Sequence, residues 1–133
     1  MKLLILLLPF LSPNEPPERT IFDEEVIRAI IEVESSYRAG VYGDSDRAVG
    51  SLQIWKITVD DCNRIIGRQK YRYSDRLSKE KSLEMFRIYQ SHYNPISDLE
   101  KGCRIWNGGP DGYLQEATEK YYKKVLKVLA ERK

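Results

Sequence analysis

With one histidine, His92, and only two cysteines, the chain holds too few Cys and His ligands to complete the four-ligand set of a structural zinc site. No metal or cofactor is implied by the sequence. Two cysteines are also too few for a scaffold built from disulfides. An excess of one charge is missing as well: 22 Lys and Arg stand against 20 Asp and Glu, a net charge of +2. Without an arginine-rich tract or a basic bias, nucleic acid is not an expected partner. Long apolar runs are absent too. The longest, Leu3 to Leu11, has nine residues, against the roughly 20 that a membrane-spanning helix needs.

That short run does resemble something smaller. "MKLLILLLPFLSPNEPPERT" places Lys2 before the apolar stretch and a polar, proline-rich stretch after it, the layout of a secretory signal. No Ala-x-Ala cleavage pattern follows, and no cysteine follows directly to carry a lipid anchor. Residues 1–20 are therefore expected to be a signal peptide or an apolar leader with its linker, with an uncleaved signal anchor or a frayed apolar terminus as the alternative. Residues 21–133 are expected to be one exported domain, periplasmic or extracellular, and monomeric. A length of 133 residues with 41% hydrophobic and 32% charged composition suits one ordinary globular domain.

Past the leader the pattern is helical nearly throughout, and the predicted fold is mainly α, with at most short strand pieces near the irregular loops. "DEEVIRAIIEVESSYR" carries apolar residues at helical spacing, with Asp23 as the expected N-cap. "AGVYGDSDRAVGS" reads as a loop. "TVDDCNRIIG" reads as a helix capped by Thr58 and stopped by Gly67. Ser78 starts a further helix that ends before Pro95. Ser97 and Glu100 form a capping box for the next, which "NGGP" breaks. A last helix is predicted from about Asp111, with Leu114, Ala117, Tyr121, Val125 and Val128 facing inward. Cys62 and Cys103 fall on apolar helix faces, compatible with one disulfide or with two separate buried thiols.

Two carboxylates in "IIEVESSYRAG" differ in their surroundings. Glu32 stands four residues after Arg28, the spacing of an exposed ion pair. Glu34 stands three, four and seven residues after Ile31, Ile30 and Ile27, at the end of the apolar stripe. A carboxylate there loses hydration and gains no cation, and both effects raise its pKa. A carboxyl still protonated near neutral pH is what glycoside cleavage uses. On periodicity alone the plainer reading is a boundary glutamate that reaches solvent past the helix end.

The neighbourhood adds to this. "VESSYRAGVYGDSDRAVGSLQI" resembles the first signature of the soluble lytic transglycosylases and goose-type lysozymes, a Glu-Ser pair on a helix, a loop, then Gly-x-x-Gln-Ile. "WNGGPDGY" followed by "ATEKYYKKV" resembles their second signature, a Tyr-Asn-x-Gly-Pro turn before a helix bearing Thr and Tyr. The resemblance runs from about Val26 to Val125 and implies a lysozyme-like single domain acting on the glycan strands of peptidoglycan. Glu34 aligns with the single catalytic acid. The implied substrate-binding residues are Ser35, Gln53, Trp106, Asn107, Gly108 and Tyr121, with Tyr122 as an alternative hydroxyl and core packing as the other reading of Tyr121. The chain departs from the pattern in two places. Ser51 and Leu52 replace the usual Leu-Met, and Trp106 replaces a tyrosine, so that an indole N–H stands where a hydroxyl is usual.

The resemblance implies a lytic transglycosylase first. A hydrolysing lysozyme of the inverting kind needs a second carboxylate about 6.5–9.5 Å from the acid to activate water, and Asp44 or Asp46 in "YGDSDRAVG" are the candidates; turn chemistry is the plainer role for both. "YRYSDR" reads either as a sugar-stacking wall or as a packed loop. The basic C-terminal segment reads as a solvated helix face. A non-catalytic glycan-binding or structural module of the same fold is the remaining alternative. Wall remodelling, phage-encoded lysis and passage of a secretion apparatus would all use such a domain.

Overall fold

Val26, Ile27, Ala29 and Ile30 form the buried stripe of the first helix, α1 (Glu24–Ser35), whose first turn carries Glu24 and Glu25, negative charges suited to a helix N-terminus. The computed structural model describes residues 24–132; Asp23 and the apolar leader lie outside them. Ser36 and Tyr37 enter the left-handed region (φ 52° and 68°) directly after α1 and end it. The loop that follows holds a two-residue antiparallel hairpin, β1 (Tyr42–Gly43) and β2 (Ala48–Val49), with Tyr42 opposite Val49 and Gly43 opposite Ala48. A bridge from Val49 to Ile54 then folds Gly50–Gln53 into a tight turn.

The chain leaves that turn through an extended Trp55 (φ −86°, ψ 156°), which serves as N-cap of α2 (Lys56–Ile66) without a side-chain bond. Thr58, expected as the cap, therefore lies inside the helix, and its backbone N–H donates to the Trp55 carbonyl at 3.0 Å. Gly67 ends α2 in the left-handed conformation (φ 73°), as its position after the apolar run predicts. A 3₁₀ turn (Tyr73–Leu77) leads to α3 (Lys79–Tyr93), where the Ser78 hydroxyl accepts from the Lys81 N–H.

In α4 (Leu99–Gly108) the cap is Asp98, one residue later than the expected Ser97. The Asn94 side chain decides this: it accepts from the Asp98 N–H at 3.1 Å and donates to the Asp98 carbonyl at 2.9 Å. Ser97 is left in a left-handed turn (φ 55°). The last helix, α5 (Glu116–Glu131), begins after a separate 3₁₀ turn at Gly112–Leu114. This corrects the inward face expected for it. Leu114 is 72% exposed and Ala117 is exposed, while Thr118, Tyr121 and Val125 are buried. The cause is the close approach of Gly112 to α4, where a Cβ would lie 2.3 Å from the Arg104 carbonyl oxygen.

Both α1 and α4 pack on α5, and α2 packs on α3. Between them lies a core containing Ile30, Leu52, Ile54, Phe86, Ile105 and Val125. The fold is thus mainly α, a single small domain. Cys62 in α2 and Cys103 in α4 are separate, buried free thiols, and burial raises each to a pKa of about 12. The expected Arg28–Glu32 pair is replaced by two others: Arg28 with Glu24 at 3.4 Å, and Glu32 with Arg132 at 2.9 Å. Arg132 also stacks on Tyr37, 5.7 Å from the ring centre, so the end of α5 is held against the end of α1. Among the described residues no helix is long and apolar enough to cross a membrane.

Candidate active site

Four segments distant in sequence meet at the C-terminal end of α1. Ser35, buried there, lies 2.7 Å from the Ser51 carbonyl oxygen, to which its hydroxyl donates, and 3.1 Å from that of Ile31. This joins α1 to the Gly50–Gln53 turn. The Trp106 indole N–H donates to the Leu52 carbonyl at 3.3 Å, joining α4 to the same turn. Tyr121 of α5 brings a buried hydroxyl to Glu34.

Glu34 itself is only half-buried, so solvent and ligand reach it. Its pKa is raised from 4.5 to about 7, chiefly by desolvation and further by the negative field of Asp44; the Tyr121 hydroxyl opposes this as a hydrogen-bond donor. None of these influences is a cation. The carboxyl is therefore partly protonated at neutral pH, the state in which one group serves as acid and then as base. The Tyr121 hydroxyl reaches no partner in good hydrogen-bond geometry among the described residues. It is a donor held close to Glu34 and not committed elsewhere, and bonds of this kind often tighten once substrate is bound. Replacing Tyr121 by Phe removes the one influence that lowers Glu34, so the Glu34 midpoint in Tyr121→Phe is expected to move above that of the parent. Carbon-13 NMR of the side-chain carboxyl measures both.

The Gly50–Gln53 turn is braced from several sides. Gln53 adopts φ 50° and folds its amide back, donating from Nε2 to the Val41 carbonyl at 3.1 Å and the Gly50 carbonyl at 2.9 Å. Both amide hydrogens are thus engaged within the protein, and Gln53 keeps only its oxygen as a further acceptor. That oxygen sits where a Cβ on Gly43 would be, 2.3 Å away. Arg76, buried and without a carboxylate partner among the described residues, donates to the Tyr73 carbonyl at 2.8 Å, Arg47 at 3.2 Å and Ile54 at 3.1 Å. It ties both ends of the segment from β2 to Ile54 onto the 3₁₀ turn. An isolated arginine in "YSDRL" carries no sequence signal for this role, since only the fold brings three carbonyls to it.

The residues expected to bind substrate therefore divide. Ser35 is a buried clamp. Gly108 is needed for helix packing, because a Cβ there would lie 2.5 Å from the Thr118 side chain. Trp106 has its N–H engaged and its ring packed edge-on against Phe86 and Tyr89, at 4.7 and 5.4 Å between ring centres. Asn107, next to it at the end of α4, is exposed and open to a ligand. Of the two loop aspartates, Asp44 acts on Glu34 and Asp46 does not. In "YRYSDR", Tyr71 is buried in the core, while Tyr73 is exposed and its hydroxyl donates to Asp60 at 2.9 Å. No group of His, Cys, Asp and Glu suited to hold a metal ion occurs among the described residues.

Fold and site together define a mainly helical domain organised around one protonatable glutamate. No family model and no curated protein matches the chain.

Proposed function

We propose that this protein is a peptidoglycan lytic transglycosylase that cleaves the β-1,4 bond between N-acetylmuramic acid and N-acetylglucosamine. The observation that carries the reading is the partly buried Glu34, raised to about 7 with no cation acting on it. Protonated Glu34 donates its proton to the glycosidic oxygen as the bond from the muramic acid C1 breaks. The substrate's own 2-acetamido group stabilises the positive charge that develops on the ring. Glu34, now ionised, takes the proton from the C6 hydroxyl of the same sugar. That oxygen closes on C1, giving a 1,6-anhydro end. No water is consumed, and Glu34 regains its proton for the next cycle. The Tyr121 hydroxyl supports the ionised intermediate stage by donating to it.

A hydrolysing lysozyme is the second reading, favoured by one observation: the negative field of Asp44 acts on Glu34, which makes Asp44 the candidate for the second carboxylate that an inverting hydrolase uses to activate water. Mass spectrometry of digested cell wall separates the two, since hydrolysis leaves a reducing end 18 mass units heavier than the anhydro product by the chemistry of adding one water. In Asp44→Asn, anhydro products are expected to persist with the Glu34 midpoint shifted down, because a field that raises it is gone. Loss of all cleavage in that variant would favour the hydrolase.

A further inference from the structure

A groove of about 480 Å³ opens between α2 and α3, and none of its lining residues belongs to the site around Glu34. It is nevertheless connected to that site through packed side chains. Gly109 and Pro110, directly after α4, line it, as does Tyr89. Tyr89 is the ring against which Trp106 packs, and Trp106 is bonded to the turn that carries Gln53. Trp106 thus links one wall of the groove to the turn that carries Gln53.

The groove combines an apolar trough with an unneutralised negative charge. Ile57, 73% exposed at its mouth, Pro110 and the Tyr89 ring are the apolar surfaces. Two carboxylates, Asp60 and Asp61, stand against one guanidinium, Arg64, leaving one negative charge over. Asp61 is the compensated one: Arg64 donates to it from Nε at 2.9 Å, and the Tyr93 hydroxyl also donates to it. Asp60 has only a neutral partner, the Tyr73 hydroxyl at 2.9 and 3.1 Å, and no ion pair among the described residues. Lys56, its neighbour one turn earlier, is directed onto the Tyr73 ring at 5.1 Å.

A sugar ring would need several hydrogen-bond partners at once, and this trough offers few that are not already engaged. An anion with no cationic group of its own to place against Asp60 would be disfavoured. An aliphatic chain ending in an ammonium matches both the apolar walls and the uncompensated Asp60. Peptidoglycan carries such a group on the peptide stem attached to its muramic acid, in the side chain of the stem's diamino acid. The geometry points to this groove as the docking site for that ammonium-bearing side chain, which makes the peptide branch a recognition element beside the glycan cleft. The inference rests on the cell-wall reading given above.

Binding tests it without relying on catalysis. The full chain, labelled with nitrogen-15, is titrated with the soluble stem tetrapeptide bearing a free side-chain amine, and separately with the same peptide acetylated on that amine. The expected result is selective movement of the Thr58, Asp60 and Gly109 amide signals with the free-amine peptide. Acetylation is expected to weaken binding at least tenfold, and Asp60→Asn is expected to remove the difference between the two peptides. Equal binding of the two peptides, binding of neither, or the same amide shifts produced by a glycan oligomer stripped of peptide would each overturn the assignment. Failure of the cell-wall reading registers separately, as cell-wall digestion that survives Glu34→Gln.

Discussion

Glu34→Gln is expected to remove cell-wall digestion, lowering the rate by about 10²–10⁴-fold or more, the usual worth of a positioned general acid. The amide has nearly the shape of the carboxyl and can still accept from Tyr121, so the fold is retained, but it has no proton to give and no charge with which to take one back. A turbidity assay on purified cell wall reads the loss, and circular dichroism checks the fold. Stability should change in the opposite direction. The folded-state pKa of Glu34, about 7, lies above the ordinary 4.5. The native state therefore holds this proton more tightly than the unfolded chain does. Its favourable contribution is complete below about pH 4.5 and is lost as pH rises to about 7, a fall of roughly 3 kcal/mol across that interval. Glutamine does not titrate, so the stability of Glu34→Gln relative to the parent should rise with pH over this range and level off above it. Urea unfolding at pH 4 and pH 8 measures the difference. An unchanged relative stability would mean that Glu34 is solvated like a free side chain.

Gly50→Ala is expected to destabilise the protein by about 3–5 kcal/mol, the range of severe single substitutions. Gly50 has φ 86°, a conformation that L side chains rarely adopt. A Cβ there would lie 1.8 Å from the Arg76 carbonyl oxygen, which is backbone and cannot swing aside. The same residue also donates its N–H to Val41 at 2.8 Å, and its carbonyl accepts from the Gln53 N–H at 3.1 Å and from the Gln53 side chain at 2.9 Å. Displacing it disturbs every brace of the turn that meets Ser35 and Trp106. For a domain of this size the loss corresponds to a drop in melting temperature of about 10–20 °C. A melt followed by circular dichroism gives the result, and a shift under 2 °C would show that the turn relaxes freely.

The sequence by itself determined the helical class, the breaks at Gly67 and "NGGP", and the place of Glu34 at the end of an apolar stripe. These are local matters of spacing and backbone chemistry, and they do not depend on what lies across the core. It also placed Glu34 and Tyr121 in segments that resemble one family's signatures, without settling whether Tyr121 faced the core or the acid; in the fold it does both. What only the tertiary structure decided was the partner of each group. Glu32 pairs with Arg132 rather than Arg28, because α5 ends against α1. Asp98 caps α4 rather than Ser97, because the Asn94 side chain holds that turn. Ser35 and Gln53 direct their hydrogens into the protein, and Arg76 gathers three carbonyls, because the hairpin turn folds back onto α1 and the 3₁₀ turn. The charge state of Glu34 belongs to this second group: desolvation, a tyrosine donor and an aspartate field arrive from three parts of the chain, and a pKa follows distances in space that residue spacing does not encode.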